Sequence, residues 1–178
     1  MNPGLAVEPL QAERHDRNRF SCGVAELDQY LQRTAEQDTK RRVAVTYALI
    51  WRERPAEILG FYTLSSRSIR LSDFPPDVAK KLPRYPDVPA TLIGRFAIDR
   101  GHRSAGYGRS LLMDALERSV TASRVVGSAA VIVDAKNDEV AGFYRRHDFV
   151  AFPSSPLRLY IPMLTVAKAF ARAPGSSG

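Results

Sequence analysis

Apolar positions along this chain switch between a period of two and a period near 3.6, and the switches mark its elements. Residues 5–10 predict a first strand, ended by the polar residues 13–17. Leu27, Tyr30, Leu31 and Ala35 then recur at helical spacing, with Glu26, Gln29 and Gln32 opposite, so a helix is expected after Gly23 that fades near residues 39–42. Residues 43–51 are rich in β-branched and aromatic side chains, 52–55 make a turn, and 58–66 supply the partner strand of a hairpin. Prolines crowd residues 72–89, which read as a loop with one short helix at 76–82. A strand over 90–98 runs into a glycine-punctuated turn, after which Leu111, Leu112, Ala115, Leu116 and Val120 give a helix one apolar face. Residues 129–135 are continuously apolar, as in a strand buried on both sides. Asn137 and Asp138 can cap a helix over 139–146; short strands at 149–152 and 157–162 and a helix at 166–172 complete the chain.

This order predicts an α/β fold of the α+β type, a mixed sheet with helices on both faces. Residues 1–172 are expected to form a single domain, and 173–178 a flexible tail. A chain of 178 residues can bury one core of good size. Its 44% hydrophobic and 25% charged content is that of a globular protein without a membrane span, and the first residues lack the pattern of a secretory signal. A cytoplasmic location is therefore expected. The lone Cys22 excludes an internal disulfide and a cysteine-based zinc site, and no metal is expected.

Charge sharpens the picture. Residues 1–38 carry a net −3 and residues 39–178 a net +10. Basic clusters fall at Lys40-Arg41-Arg42, at Lys80-Lys81 with Arg84, at Arg100 with Arg103, and at Arg145-Arg146. Such a field attracts polyanions.

The most telling chemistry lies at residues 98–112, Ile-Asp-Arg-Gly-His-Arg-Ser-Ala-Gly-Tyr-Gly-Arg-Ser-Leu-Leu. A strand feeding a basic, glycine-containing loop that opens a helix makes an anion site, because the first helical N–H groups lack partners and the helix dipole is positive there. It is not a P-loop: Tyr107-Gly108 stands where Lys-Ser or Lys-Thr is required. Nor is it a dinucleotide fingerprint, whose third glycine is missing. On these residues alone an ordinary turn into a helix remains open.

Arg103-Ser104-Ala105-Gly106-Tyr107-Gly108 resembles the pyrophosphate-binding signature of GNAT-family acetyltransferases. Ala135-Lys136-Asn137, followed by Ala141-Gly142-Phe143-Tyr144-Arg145-Arg146-His147-Asp148-Phe149, resembles the far half of the same core, with Asp148 where that family often has glycine. The resemblance implies the GNAT fold with acetyl-CoA as co-substrate. Strands 90–98 and 129–135 would splay to admit the pantetheine arm. Phe96, Ala97 and Ile98 would offer it their backbone; Arg103, Ser104, Ala105, Gly106, Tyr107, Gly108 and Arg109 would surround the phosphates. Asn137 would lie by the pantetheine arm. Tyr144 would be the catalytic residue, protonating the departing thiolate, or else a core aromatic, a role that Phe143 suits better.

His15, Phe20-Ser21-Cys22-Gly23, Leu27-Asp28-Gln29-Tyr30-Leu31, Ala35, Gly60-Phe61-Tyr62-Thr63-Leu64-Ser65, the long basic, Pro-rich segment before Pro89 and the ending Leu157-Arg-Leu-Tyr-Ile-Pro-Met163 resemble the GNAT toxins of type II toxin–antitoxin modules. That likeness implies acetylation of the α-amine of aminoacyl-tRNA, neutralisation by a ribbon-helix-helix antitoxin, and a homodimer. Lys40, Arg41, Arg42, Lys80, Lys81, Arg84, Arg145 and Arg146 would then contact nucleic acid. His15 and Cys22 are expected to be structural. Two other readings stay open: a GNAT enzyme acting on a small amine, peptide or protein N-terminus, and a non-enzymatic module that binds nucleic acid or senses acyl-CoA.

Overall fold

The expected alternation of strands and helices is present in the computed structural model, which describes residues 2–172; the tail expected at 173–178 lies outside the described residues. Seven strands arise: β1 (Leu5–Pro9), β2 (Val45–Trp51), β3 (Arg54–Arg70), β4 (Asp87–Ile98), β5 (Ala130–Asp134), β6 (Val150–Phe152) and β7 (Ser155–Pro162). They form one sheet in the order β1-β2-β3-β4-β5-β7-β6. Pairing is antiparallel for β1 with β2, β2 with β3, β5 with β7 and β6 with β7, and parallel for β4 with β5. The sheet is mixed, as the sequence predicts.

The helices are α1 (Ala25–Gln29), α2 (Ala35–Lys40), α3 (Pro76–Ala79), α4 (Tyr107–Ser123), α5 (Asp138–Arg145) and α6 (Met163–Ala171). β4 starts at Asp87, within the expected loop, α3 ends at Ala79 and α6 starts at Met163; two further elements depart most from expectation. β3 runs for 17 residues, longer than residues 58–66, because strand pairing holds its charged ends. The first helix is interrupted by a π turn at Tyr30–Thr34, in which the Ala35 N–H donates to the Tyr30 carbonyl. This wider turn still buries Tyr30, Leu31 and Ala35 together.

By contacts the chain divides into two compact units: Met1–Ser65 with Gly94–Ala115, and Ser66–Ile93 with Leu116–Gly178. In the first, Phe20, Cys22, Tyr30, Leu31, Ile50, Phe61 and Ala97 share a core. Phe20 meets Phe61 edge-on at 5.4 Å, and the Arg95 guanidinium lies 3.7 Å from the Tyr30 ring centroid. His15 is buried; its Nδ1 accepts from the Gln11 N–H at 3.0 Å and its Nε2 lies 3.0 Å from Glu8 Oε1. Burial lowers its pKa, although the Glu8 hydrogen bond opposes this, so the ring serves as a buried neutral strut.

In the second unit Phe74, Val88, Ala90, Ile132, Phe152 and Tyr160 form the core. β5 lies between two pairing partners, and Val131, Ile132 and Val133 are fully buried, which explains its unbroken apolar run. After α5 the chain reverses through Asp148, whose φ of 65° is left-handed. Asp tolerates this region where most side chains do not. Asp148→Val is accordingly expected to lower stability by about 1–2 kcal/mol, and Asp148→Gly to leave it unreduced; urea titration of both variants checks this.

Candidate active site

β4 is made by alternating apolar residues, and its register with β5 runs from Ala90–Ala130 to Ile93–Val133. Beyond that register the first unit holds its end: the Arg95 N–H donates to Thr63 Oγ1 at 2.9 Å and the Asp99 N–H to the Leu59 carbonyl at 2.9 Å. Gly60 makes this approach possible. A Cβ there would stand 2.9 Å from the Ala97 carbonyl and 2.7 Å from Ile98 Cδ1. Phe96 and Ile98 are half-buried and Ala97 is buried.

The strand then turns through a short 3₁₀ segment, Arg100–His102. Asp99 organises it: Oδ1 accepts from the Gly101 N–H at 2.8 Å, and Oδ2 from the Ser21 N–H at 3.0 Å. The Arg100 N–H returns a bond to the Ser21 carbonyl at 2.8 Å. The Arg103 guanidinium donates to the Cys22 carbonyl. The loop is thus tied to the segment before α1, and that segment is itself held by Asp28, which accepts from the Cys22 N–H at 2.8 Å and from Ser21 Oγ at 3.1 Å. These ties immobilise a basic loop before any ligand arrives.

Two left-handed residues shape the rest of the loop, Ser104 at φ 67° and Gly106 at φ 77°. Apart from its chain neighbours, no residue comes within 4 Å of where a Gly106 Cβ would be, so the backbone there faces open space. α4 starts at Tyr107, and the Ser110 N–H reaches the Gly106 carbonyl at 3.4 Å. The amides of Tyr107, Gly108 and Arg109 therefore belong to the helical turn that has no preceding carbonyls to accept them. Tyr107 is braced edge-on against Trp51 at 6.1 Å and lies 6.3 Å from the His102 ring. Arg103, Ser104, Ala105 and Arg109 are exposed. Backbone amides without helical partners, with guanidinium groups at the edge, are an arrangement that suits an anion.

Asn137 and Tyr144 belong to the other unit and share α5. Asn137 caps it, its Oδ1 accepting from the Val140 N–H at 3.0 Å, which leaves its NH₂ as a donor. Tyr144 is 4% exposed, whereas Phe143 is only half-buried, the reverse of what their side chains suggest. The Tyr144 ring contacts Phe143 at 5.2 Å and Phe149 at 5.4 Å between centroids. Burial raises its pKa well above the usual phenol range, so it is held as a neutral O–H that can give a proton.

The basic residues singled out from the sequence all lie at the surface. Lys40, Arg41, Arg42, Lys80, Lys81, Arg84, Arg145 and Arg146 are exposed. Lys40 pairs with Glu36 at 2.5 Å, Lys80 lies 3.7 Å from Asp77, and Arg145 donates to the Pro156 carbonyl at 3.4 Å. Cys22 is buried, and burial with the Asp28 hydrogen bond pushes its thiol up to about 11, which removes it as a nucleophile. Sequence reasoning missed the roles of Asp99, Asp28 and Trp51. An aspartate just before a Gly-containing turn is a signal that could have disclosed Asp99. No group of His, Cys, Asp and Glu among the described residues could hold a metal ion, and no helix among them is long and apolar enough to cross a membrane.

The model of the acetyltransferase (GNAT) family matches residues 10–149. A probable toxin TacT of Sinorhizobium fredii is 31% identical over 175 residues, covering 93% of this chain and 96% of the relative. A tRNA-acetylating toxin of Mycobacterium tuberculosis is 34% identical over 160 residues, covering 90% of this chain and 93% of that protein. Among solved structures, AtaT complexed with acetyl-methionyl-tRNAfMet superposes with a TM-score of 0.85 at 27% identity, covering 93% of this chain and 99% of that one.

Proposed function

Because the chain belongs to the acetyltransferase (GNAT) family, we propose that it is the toxin of a type II toxin–antitoxin module, transferring an acetyl group from acetyl-CoA to the α-amine of an aminoacyl-tRNA. The observation that carries the donor half is the cradle at residues 103–109, where an open Gly106 backbone and first-turn amides suit a diphosphate. The acceptor half is supported by the likeness, along nearly the whole chain, to the tRNA-acetylating toxin. Residues 1–172 act in this reading as one catalytic domain, without a metal, in the cytoplasm. A homodimer and a ribbon-helix-helix antitoxin complete it.

In this reading the roles divide as follows. Backbone N–H groups of Ser104, Ala105, Gly106, Tyr107, Gly108 and Arg109 hold the diphosphate, with the Arg103 and Arg109 side chains adding charge. Backbone groups of Phe96, Ala97 and Ile98 pair with the pantetheine amides, and the Asn137 NH₂ donates to the same arm. The substrate nitrogen attacks the thioester carbon, the new N–C bond forms, and the C–S bond breaks. The amine's surplus proton leaves to water, while Tyr144 gives its O–H proton to the departing sulfur and is reprotonated from solvent. The α-amine of an amino acid esterified to tRNA is less basic than a lysine, so a site with no evident general base suffices. Lys40, Arg41, Arg42, Lys80, Lys81, Arg84, Arg145 and Arg146 take the phosphates of the tRNA.

Incubation with acetyl-CoA and separately charged tRNAs, followed by mass spectrometry of the released amino acid, tests the reading. Acetylation of at least one charged species is expected; acetylation of small amines or peptides alone would overturn it. Charge reversal at Arg41, Arg42, Lys80 or Lys81 is expected to raise KM for charged tRNA and to flatten its salt dependence by about one unit of slope per lost contact. KM for acetyl-CoA should stay within about twofold of wild type, on the view that rim charges act mainly on encounter.

A further inference from the structure

The proline-rich segment before β4 is a built structure, and the proposed function leaves its most exposed aromatic side chain without a task. Its ends are joined by the Leu71 N–H, which donates to the Pro86 carbonyl at 2.9 Å. Phe74 anchors the segment from within, 5.1 Å from Phe152 and 5.1 Å from Tyr160 between ring centroids. α3 follows from Pro75 and Pro76, which preset the backbone at its start. Closed ends, an aromatic root and several prolines make this a rigid loop.

Over it lies an open pocket of about 790 Å³. Phe74, Leu71 and Ala79 give it an apolar floor, and Arg70, Arg84 and Tyr85 stand at its edge. Asp87 is the one carboxylate in its lining. Tyr85 is 67% exposed, and it stands beside the apolar lining of the pocket rather than alone on the surface. Its neighbours Arg84 and Lys81 are exposed as well.

An exposed aromatic ring, an apolar floor and guanidinium groups alongside are what an unpaired nucleotide requires. The base stacks on the phenol, and its phosphates meet the arginines. A double helix offers no such base, since its faces are already stacked. We propose that this pocket binds an unpaired nucleobase of the RNA substrate, with Tyr85 as the stacking platform and Arg70 and Arg84 on the flanking phosphates. The inference rests on the tRNA reading for the identity of the RNA, and it locates the single-stranded acceptor end at residues 70–87.

The test is fluorescence anisotropy of the full chain with a labelled single-stranded RNA tetramer ending in CCA, beside an RNA duplex of equal charge. Tyr85→Ala is expected to weaken tetramer binding roughly tenfold, in line with the loss of one base–aromatic stack, and to leave duplex binding unchanged. Tyr85→Phe, which keeps the ring, should bind the tetramer like wild type. Tetramer binding by Tyr85→Ala equal to wild type would overturn the proposal. So would an equal loss for tetramer and duplex, or loss of capture of the neutralising partner protein with RNA binding intact. If no charged tRNA is ever acetylated and the tetramer still binds through Tyr85, the pocket stands and the functional reading fails. If charged tRNA is acetylated and Tyr85 is indifferent to RNA, the pocket fails and the functional reading stands.

Discussion

Tyr144→Phe is expected to lower kcat for acetyl transfer by roughly 10²–10⁴, the usual worth of a positioned general acid. The ring stays, and with it the contacts to Phe143 and Phe149 at 5.2 and 5.4 Å. Any stability change should therefore be no more than that of a single hydrogen bond, about 1 kcal/mol. KM for acetyl-CoA should be little altered, because the cradle at residues 103–109 and the backbone of β4 hold the donor in the proposed mechanism. Burial raises the Tyr144 pKa, so the group remains a donor as pH rises through the ordinary phenol range. The wild-type kcat should accordingly show no alkaline loss attributable to this residue up to about pH 10, the value of a free tyrosine. Steady-state release of CoA thiol, followed across pH for both proteins, measures all of this. A variant that keeps wild-type kcat would reduce Tyr144 to a core aromatic.

The second large effect is expected at Gly60. Gly60→Ala places a methyl group 2.9 Å from the Ala97 carbonyl and 2.7 Å from Ile98 Cδ1. The isoleucine end can rotate away, but the carbonyl belongs to β4, which is held by the Asp99–Leu59 hydrogen bond two residues further on. Overpacking of this kind costs about 1–3 kcal/mol, a fall in Tm of roughly 2–4 °C per kcal/mol for a chain of this size. The displaced carbonyl belongs to the stretch of β4 whose backbone is proposed to receive the pantetheine arm, so KM for acetyl-CoA should rise together with the loss of stability. Calorimetry and acetyl-CoA titration on one sample separate the two. A loss of Tm with unchanged donor affinity would detach Ala97 and Ile98 from the site.

Much of the chemistry was legible because it is local. The cradle is contiguous, and its Gly106 and Ser104 adopt the left-handed backbone that such a loop requires. Asn137 is a helix cap by residue type and by position. Asp148 stands where the family often has glycine, and its φ of 65° is a left-handed backbone that Asp accepts.

Other features needed partners distant in the chain. Phe143 and Tyr144 are neighbours on a helix, about 100° apart around its axis, and periodicity cannot say which of two adjacent aromatics turns inward. Phe149, beyond the turn, meets the Tyr144 ring and makes that choice. The ties from Asp99 to Ser21 and from Arg103 to Cys22 span 78 and 81 residues, and no spacing rule forecasts them. β3 exceeds its apolar run because a strand extends as far as neighbouring strands supply hydrogen bonds, whatever its side chains prefer.

By itself, then, the sequence determined where helices and strands alternate, where a basic glycine-containing loop opens a helix, and which family's motifs those residues carry, because periodicity, turn chemistry and caps act over a few residues. Tertiary structure alone decided that Tyr144 is the inward, neutral phenol, that Gly60 sets the spacing of β3 and β4, and that Tyr85 stands exposed on a closed loop. Burial and approach are relations between segments far apart in the chain, and only packing settles them.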